Sequence, residues 1–169
     1  MGGVDAKAIL LADADVLIDF VRTRPGTLRL VAEHLGRLLV LAEVLATIDQ
    51  LTKKQCRAYG IEVVTVETEM LLAAGTKKRR TLSFEDHLGL LACKTNGWTM
   101  VTNDRVLMGA CKEEAVPFRR GLRLVLDLVA GGGLKKQAAW ELAVAIHREN
   151  PRHINEHVLE KFKAELSKL

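Results

Sequence analysis

Short apolar runs alternate with stretches of helical periodicity along the first 130 residues, and this alternation constrains the fold more than any other feature. The clearest run covers residues 8–12 and stops abruptly at Asp13. The later runs cover residues 38–41, 61–66, 98–102 and 122–126. A short apolar run bounded by polar residues is typical of a buried strand. Strands that alternate with helices predict an α/β fold, with a mostly parallel five-stranded central sheet flanked by helices.

The end of the chain has a different pattern. Residues 131–133 are three consecutive glycines, and helical periodicity then runs from 134 to 148. Asn155 is placed to cap a last helix, whose apolar stripe is Val158, Leu159, Phe162 and Leu166. We therefore expect a body from residue 1 to 130 and a helical C-terminal extension from 131 to 169, packed on or beside that body.

Composition sets wide limits on function. The 169 residues carry 25 basic and 21 acidic side chains, a net charge of +4 that permits a nucleic-acid partner without requiring one. The odd cysteine count of three, with no C-x-x-C pair, does not resemble a disulfide framework or a zinc site. No signal peptide and no apolar run of membrane-spanning length is visible. We expect a cytoplasmic protein with reduced thiols and no membrane partner.

Acidic side chains recur where the predicted strands end. Asp13, Glu43 and Asp104 each follow an apolar run, and Asp86 lies in the first turn of a predicted helix. If the strands are neighbours, these carboxylates meet at one edge of the sheet. Two like charges about 4 Å apart repel by about 4 kcal/mol at an effective dielectric of 20. Carboxylates crowded in this way would have raised pKa values or would bind a cation. Carboxylate oxygens suit Mg²⁺ or Mn²⁺.

Each acid also has a purely structural interpretation. Asp13 or Asp104 alone could be a helix N-cap. Asp86 could belong to a capping box with Ser83, and Glu43 could be a first-turn acid that interacts with the helix dipole. Four such coincidences in this order are less frequent than one shared site, so we favour the site.

Residues 11–18, 42–45, 84–92 and 101–105 resemble, in order and spacing, the four acidic motifs of PIN-domain ribonucleases. Within that family they look most like the toxin half of VapBC-type toxin–antitoxin pairs. The resemblance covers about residues 7–126 and implies a PIN-like three-layer fold. It also implies that Asp13, Glu43, Asp86 and Asp104 bind Mg²⁺ or Mn²⁺ and cleave single-stranded or loop RNA. An antitoxin protein would be a partner, and a homodimer stays open.

Further residues gain expected roles from the same resemblance. Thr102 and Asn103 fit the polar pair that usually precedes the last acid of the family. Asp15 departs from the pattern, because the family often has Asn or another small polar residue there. Apart from the resemblance, a basic stretch is a candidate contact for the RNA backbone because it lies just before Asp86. It consists of Lys77, Lys78, Arg79 and Arg80.

Two other functions compete with a ribonuclease. Asp13-Ala-Asp15-Val matches the start of haloacid-dehalogenase-type phosphatases, in which Asp13 would be the nucleophile and Asp15 the acid/base. No Gly-Asp-x-x-x-Asp motif follows, and the chain is short for that fold with a cap. The other alternative is a PIN-like module that binds RNA without cleaving it.

Overall fold

The computed structural model describes residues 8–76 and 81–169. Within these ranges five strands form one sheet. They are β1 (Ile9–Ala12), β2 (Arg37–Leu41), β3 (Ile61–Val64), β4 (Thr99–Val101) and β5 (Phe118–Arg119). Every pairing is parallel and the strand order is β3-β2-β1-β4-β5. The predicted five-stranded parallel sheet is confirmed.

The sheet is buried because its central strands carry apolar side chains on both faces. Leu10 and Leu11 of β1, and Leu38 and Leu39 of β2, are each at most 2% exposed. A parallel sheet covered on both faces requires such continuous apolar runs. Leu11 pairs in register with Leu39 on one side and with Met100 on the other, so β1 is the central strand.

Helices connect the strands and cover the sheet. The first five are α1 (Ala14–Thr23), α2 (Gly26–His34), α3 (Ala42–Leu45), α4 (Lys53–Ala58) and α5 (Thr68–Thr76). The others are α6 (Phe84–Asn96), α7 (Arg105–Glu113), α8 (Gly121–Ala130), α9 (Lys136–Glu149) and α10 (Glu156–Ser167). Gly97 ends α6 in the left-handed conformation (φ 70°), which glycine adopts without steric cost.

One predicted strand is wrong. Residues 122–126 lie inside helix α8, and the fifth strand is the two-residue segment Phe118–Arg119 just before it. Leu122, Leu124, Val125 and Leu128 of α8 are buried. A helix enclosed by other elements carries apolar residues on most of its surface, so its short apolar runs look like those of a buried strand.

The C-terminal helices pack on the body. Helix α9 contacts α1 and α8, and α10 contacts α8 and α9. Leu142, Ile146, Phe162 and Leu166 of these helices belong to the same apolar core as the sheet. Asn150, just after α9, donates to the Asp19 carboxylate of α1 at 3.1 and 3.3 Å. Apolar burial and this polar contact together hold the extension against α1.

Candidate active site at the carboxyl edge of the sheet

Asp13 directly follows the central strand and is 8% exposed. Its Oδ1 accepts a hydrogen bond from the Val16 amide at 3.0 Å and so caps α1. Its Oδ2 accepts a hydrogen bond from the Thr102 hydroxyl. Burial raises the pKa of Asp13 to about 7, although both hydrogen bonds lower it. The charges of Asp15 and Asp86 raise it further. Asp13 is thus a helix cap and also a carboxyl that can hold its proton near neutral pH.

Asp104 follows β4, the neighbour of β1, and is linked to Asp13 through one side chain. The Thr102 hydroxyl, fully buried, donates to Asp13 and accepts from the Asp104 amide at 3.0 Å. Asp104 Oδ1 accepts from the Leu107 amide at 2.8 Å and caps α7. Asn103 Oδ1 accepts from the Gly121 amide at 3.0 Å, which fixes the start of α8. Thr102 and Asn103 therefore orient the loop that carries Asp104.

Asp86 lies in the first turn of α6, where the Ser83 hydroxyl accepts a hydrogen bond from its amide at 3.0 Å. Burial raises the pKa of Asp86, and a hydrogen bond from Ser83 lowers it. The charges of Asp104, Asp15 and Glu85 raise it further. Asp86 is therefore electrostatically coupled to acids that follow two different strands.

Glu43 lies in α3, directly after β2, on the other side of β1 from Asp104. Its Oε2 atom is buried and has no hydrogen-bond partner in the described part of the chain. A buried polar atom without a partner costs about 1–3 kcal/mol, so a native structure keeps few of them. An unsatisfied carboxylate oxygen at the end of a strand is consistent with a ligand that supplies the missing contact.

The predicted acids thus lie at one edge of the sheet, some in a cluster and Glu43 beside it. The charges of Asp15 and Asp86 raise the pKa of Asp13, and those of Asp104 and Asp15 raise the pKa of Asp86. We call these four acids the acidic cluster. Asp13 and Asp86 line one small crevice, together with Glu85, which the sequence analysis did not select. Glu43 lies at the end of the adjacent strand. The N-cap interpretation of Asp13 and Asp104 is confirmed as well, because each uses one oxygen as a cap.

The donor atoms have the chemical character that a hard divalent cation prefers, namely carboxylate oxygens crowded by their own charge. Within residues 8–76 and 81–169, however, no three acid, histidine or cysteine side chains form a group that could hold a metal ion in the observed arrangement. Binding would require these side chains to turn toward a shared ion. The acids therefore fit a divalent cation in the chemistry and the position of their donor atoms. In the observed arrangement the described residues do not form a coordination shell.

Two adjoining cavities open beside the acidic cluster. One, of about 390 Å³, is lined by Asp104 and by the end of the loop between α9 and α10. The other, of about 790 Å³, lies between α8 and α10. They share Arg105, Arg120, Asn155 and Val158. The sequence analysis did not find this groove, because its walls come from segments far apart in the chain.

One further prediction concerns the basic stretch before Asp86. Lys77, Lys78, Arg79 and Arg80 lie outside the described residues, so their contact with RNA stays a prediction. His87, beside Asp86, is buried at 6% exposure and has a packing role. Among the described residues, no helix is both long enough and apolar enough to span a membrane.

Comparison with known proteins identifies the fold. No protein-family model and no curated protein matches the sequence. Among solved structures, the chain is similar to a PilT N-terminus domain protein from the hyperthermophilic archaeon Sulfolobus solfataricus. The two share 10% identity with a TM-score of 0.50, over 69% of this chain and 89% of the other. At this identity the likeness shows the fold alone: the chain has a PIN-like fold, PIN denoting the PilT N-terminus domain.

Proposed function

We propose that this chain is a divalent-metal-dependent endoribonuclease that cleaves single-stranded or loop RNA. The observation that carries the proposal is the acidic cluster at the carboxyl edge of the sheet, where the pKa of Asp13 is raised to about 7. Ligands of open α/β sheets bind at this edge. The four acids of this cluster follow two adjacent strands or lie at the start of α6, and their like charges are costly to keep together unless they serve a ligand.

In this proposal Asp13, Glu43, Asp86 and Asp104 hold Mg²⁺ or Mn²⁺, which when bound activates a water and stabilises the leaving oxygen of the phosphodiester. Thr102 has a positioning role, because its single hydroxyl contacts both Asp13 and the Asp104 amide. The unsatisfied Glu43 oxygen would supply a further ligand from α3, directly after β2. Asp13 must lose its proton to bind a cation, so we expect activity to rise with pH through about 7.

The experiment is RNA cleavage by the wild type and by four variants that keep shape and remove one charge each. They are Asp13→Asn, Glu43→Gln, Asp86→Asn and Asp104→Asn. Each should lose cleavage of a single-stranded RNA in the presence of Mg²⁺ or Mn²⁺. The matched control is Asp49→Asn, which removes an exposed acid outside the acidic cluster and should leave cleavage unchanged. Retention of cleavage by all four variants would refute the proposal.

The geometry does not favour the phosphatase alternative. Both Asp13 oxygens already accept hydrogen bonds, so a nucleophilic role and a metal-binding role each require one oxygen to take a further contact, and the likeness to a PilT N-terminus domain protein favours the metal-binding role. Turnover of p-nitrophenyl phosphate without RNA cleavage would favour the phosphatase. RNA binding that is insensitive to Mg²⁺ and to Asp104→Asn would favour the module that binds without cleaving.

The more specific proposal is that the chain is the toxin of a toxin–antitoxin pair. Its support is the resemblance of the four motifs to VapC-type toxins. The neighbouring reading frame is the informative observation, since a small upstream frame should encode a DNA-binding antitoxin. Expression of the wild type alone should arrest growth. Asp104→Asn should not, and co-expression of the neighbouring frame should relieve the arrest.

A further inference from the structure

The two cavities beside the acidic cluster share four wall residues, and we call the two together the α8–α10 groove. Its cationic wall residues come from the start of α7, from β5 and α8, and from the C-terminal extension. They are Arg105, Arg119, Arg120, Arg123, Arg152 and Lys161. Against these six cations the walls carry two acids, Asp104 and Glu165. The groove therefore attracts a negatively charged ligand.

Two of the six cations are already neutralised. Arg119 and Arg123 both pair with Asp127, a buried acid of α8, and Arg123 also lies 3.7 Å from Glu165. The other four form no ion pair with a carboxylate in residues 8–76 and 81–169, and all four are exposed. They are Arg105, Arg120, Arg152 and Lys161. Arginines without a carboxylate partner along a groove are available to phosphate oxygens, which they bind in bidentate geometry.

The position of the groove indicates which anion it takes. One end is lined by Asp104, so a ligand in the groove reaches the acidic cluster. The side chains that line the larger cavity also include the apolar residues Leu122, Val158 and Phe162. Separated cations together with apolar side chains match a flexible polyanion with planar, partly apolar bases, which is single-stranded nucleic acid. A small anion would need one focused site instead of cations spread along two cavities.

We propose that the α8–α10 groove binds the phosphate backbone of single-stranded RNA and leads it to the acidic cluster. The C-terminal extension then has a substrate-binding role, since Arg152, Lys161 and one side of the larger cavity belong to it. This inference rests on the proposed function for the choice of RNA as the polyanion. The binding itself requires no cleavage and can be measured separately.

The test compares two triple variants that remove the same charge. The groove variant carries Arg120→Gln, Arg152→Gln and Lys161→Gln, at exposed positions spread along the groove. The control variant carries Lys53→Gln, Lys54→Gln and Arg57→Gln on α4. That helix packs on β3, at the opposite edge of the sheet from β5. Both variants should fold, because every replaced side chain is exposed.

Binding of a fluorescein-labelled single-stranded RNA is followed by anisotropy in EDTA, over a series of salt concentrations. The slope of log K against log[salt] is about −0.7 per phosphate contact for a single strand. The groove variant should reduce the magnitude of that slope by about 2 and weaken binding at least tenfold at the lowest salt. The control variant should keep the wild-type slope. Equal losses in the two variants would show an effect of net charge alone and would overturn the inference.

Cleavage measured in parallel separates this inference from the proposed function. If the wild type cleaves RNA and the groove variant keeps full RNA affinity, the groove inference is wrong and the ribonuclease proposal stands. If the groove variant loses binding but the wild type never cleaves, the groove inference stands and the ribonuclease proposal is wrong.

An acidic protein segment is the other polyanion that could fit. Loss of polyglutamate binding with unchanged RNA affinity would assign the groove to such a segment and overturn the RNA inference.

Discussion

Replacing Asp13 by Asn should stabilise the metal-free protein at mildly alkaline pH. Burial is the largest cause that raises the pKa of Asp13 to about 7 in the folded protein. In the unfolded chain an Asp has a pKa of about 3.9. Between these values the folded state binds a proton that the unfolded state has lost. The free energy of unfolding therefore falls as pH rises from about 4 to about 7, and stays low above that.

The size of the effect follows from the two pKa values. A pKa difference of one corresponds to about 1.4 kcal/mol, so ionised Asp13 destabilises the fold by at most about 4 kcal/mol above pH 7. Asn can still accept the Val16 amide and caps a helix about as well as Asp. The Thr102 hydroxyl can rotate to accept from the new amide group. We expect a gain of about 2–4 kcal/mol at pH 8 and of about 1 kcal/mol or less at pH 4.5.

The assay is urea unfolding in EDTA at these two pH values, for the wild type, Asp13→Asn and Asp49→Asn. Asp49 is exposed, so the control removes one acidic charge without removing a buried one. The reasoning is refuted if Asp13→Asn gains nothing at pH 8, or gains equally at both pH values. A similar gain in Asp49→Asn would assign the effect to net charge instead of to the burial of Asp13.

Three more predictions concern the same edge of the sheet. Millimolar Mg²⁺ should raise the Tm of the wild type more than that of Asp13→Asn or Asp104→Asn, because a ligand that binds only the folded state adds stability; equal increments would contradict a shared site. Thr102→Val should raise the pKa of Asp13 further, since the lost hydrogen bond lowers it, and should cost about 1–3 kcal/mol by leaving the Asp104 amide unsatisfied. An NMR titration measures the pKa of Asp13 and urea unfolding measures the loss of stability, and an unchanged pKa would contradict the role of Thr102. Replacing residues 77–80 by Ala should weaken RNA binding and reduce its salt dependence; an unchanged salt slope would show that this basic stretch does not contact RNA.

The sequence predicted the sheet and the acids at its edge because both depend on local signals. An apolar run that ends at an acid marks the end of a buried strand, and Asp13 and Asp104 lie at such ends. Parallel strands share their carboxyl edge, so the acids meet once the strands are neighbours. What could not be predicted was the strand order, which depends on packing between distant segments.

The errors and omissions have physical reasons too. Residues 122–126 contain an apolar run that suits either a strand or an enclosed helix, and the neighbouring β5 is too short to produce any periodicity. The α8–α10 groove was not predicted because Arg120 lies far along the chain from Arg152 and Lys161. Packing of α10 on α8 brings them together. In sequence each looks like an ordinary solvated cation.

The most direct test of the account is RNA cleavage by the wild type as the metal is removed and then restored. A single-stranded RNA is incubated with the protein in EDTA, and Mg²⁺ or Mn²⁺ is then added in excess. The account predicts no cleavage in EDTA and recovery on addition of the metal, with no recovery in Asp104→Asn. Cleavage at the full rate in EDTA, or equal cleavage by Asp104→Asn, would contradict it.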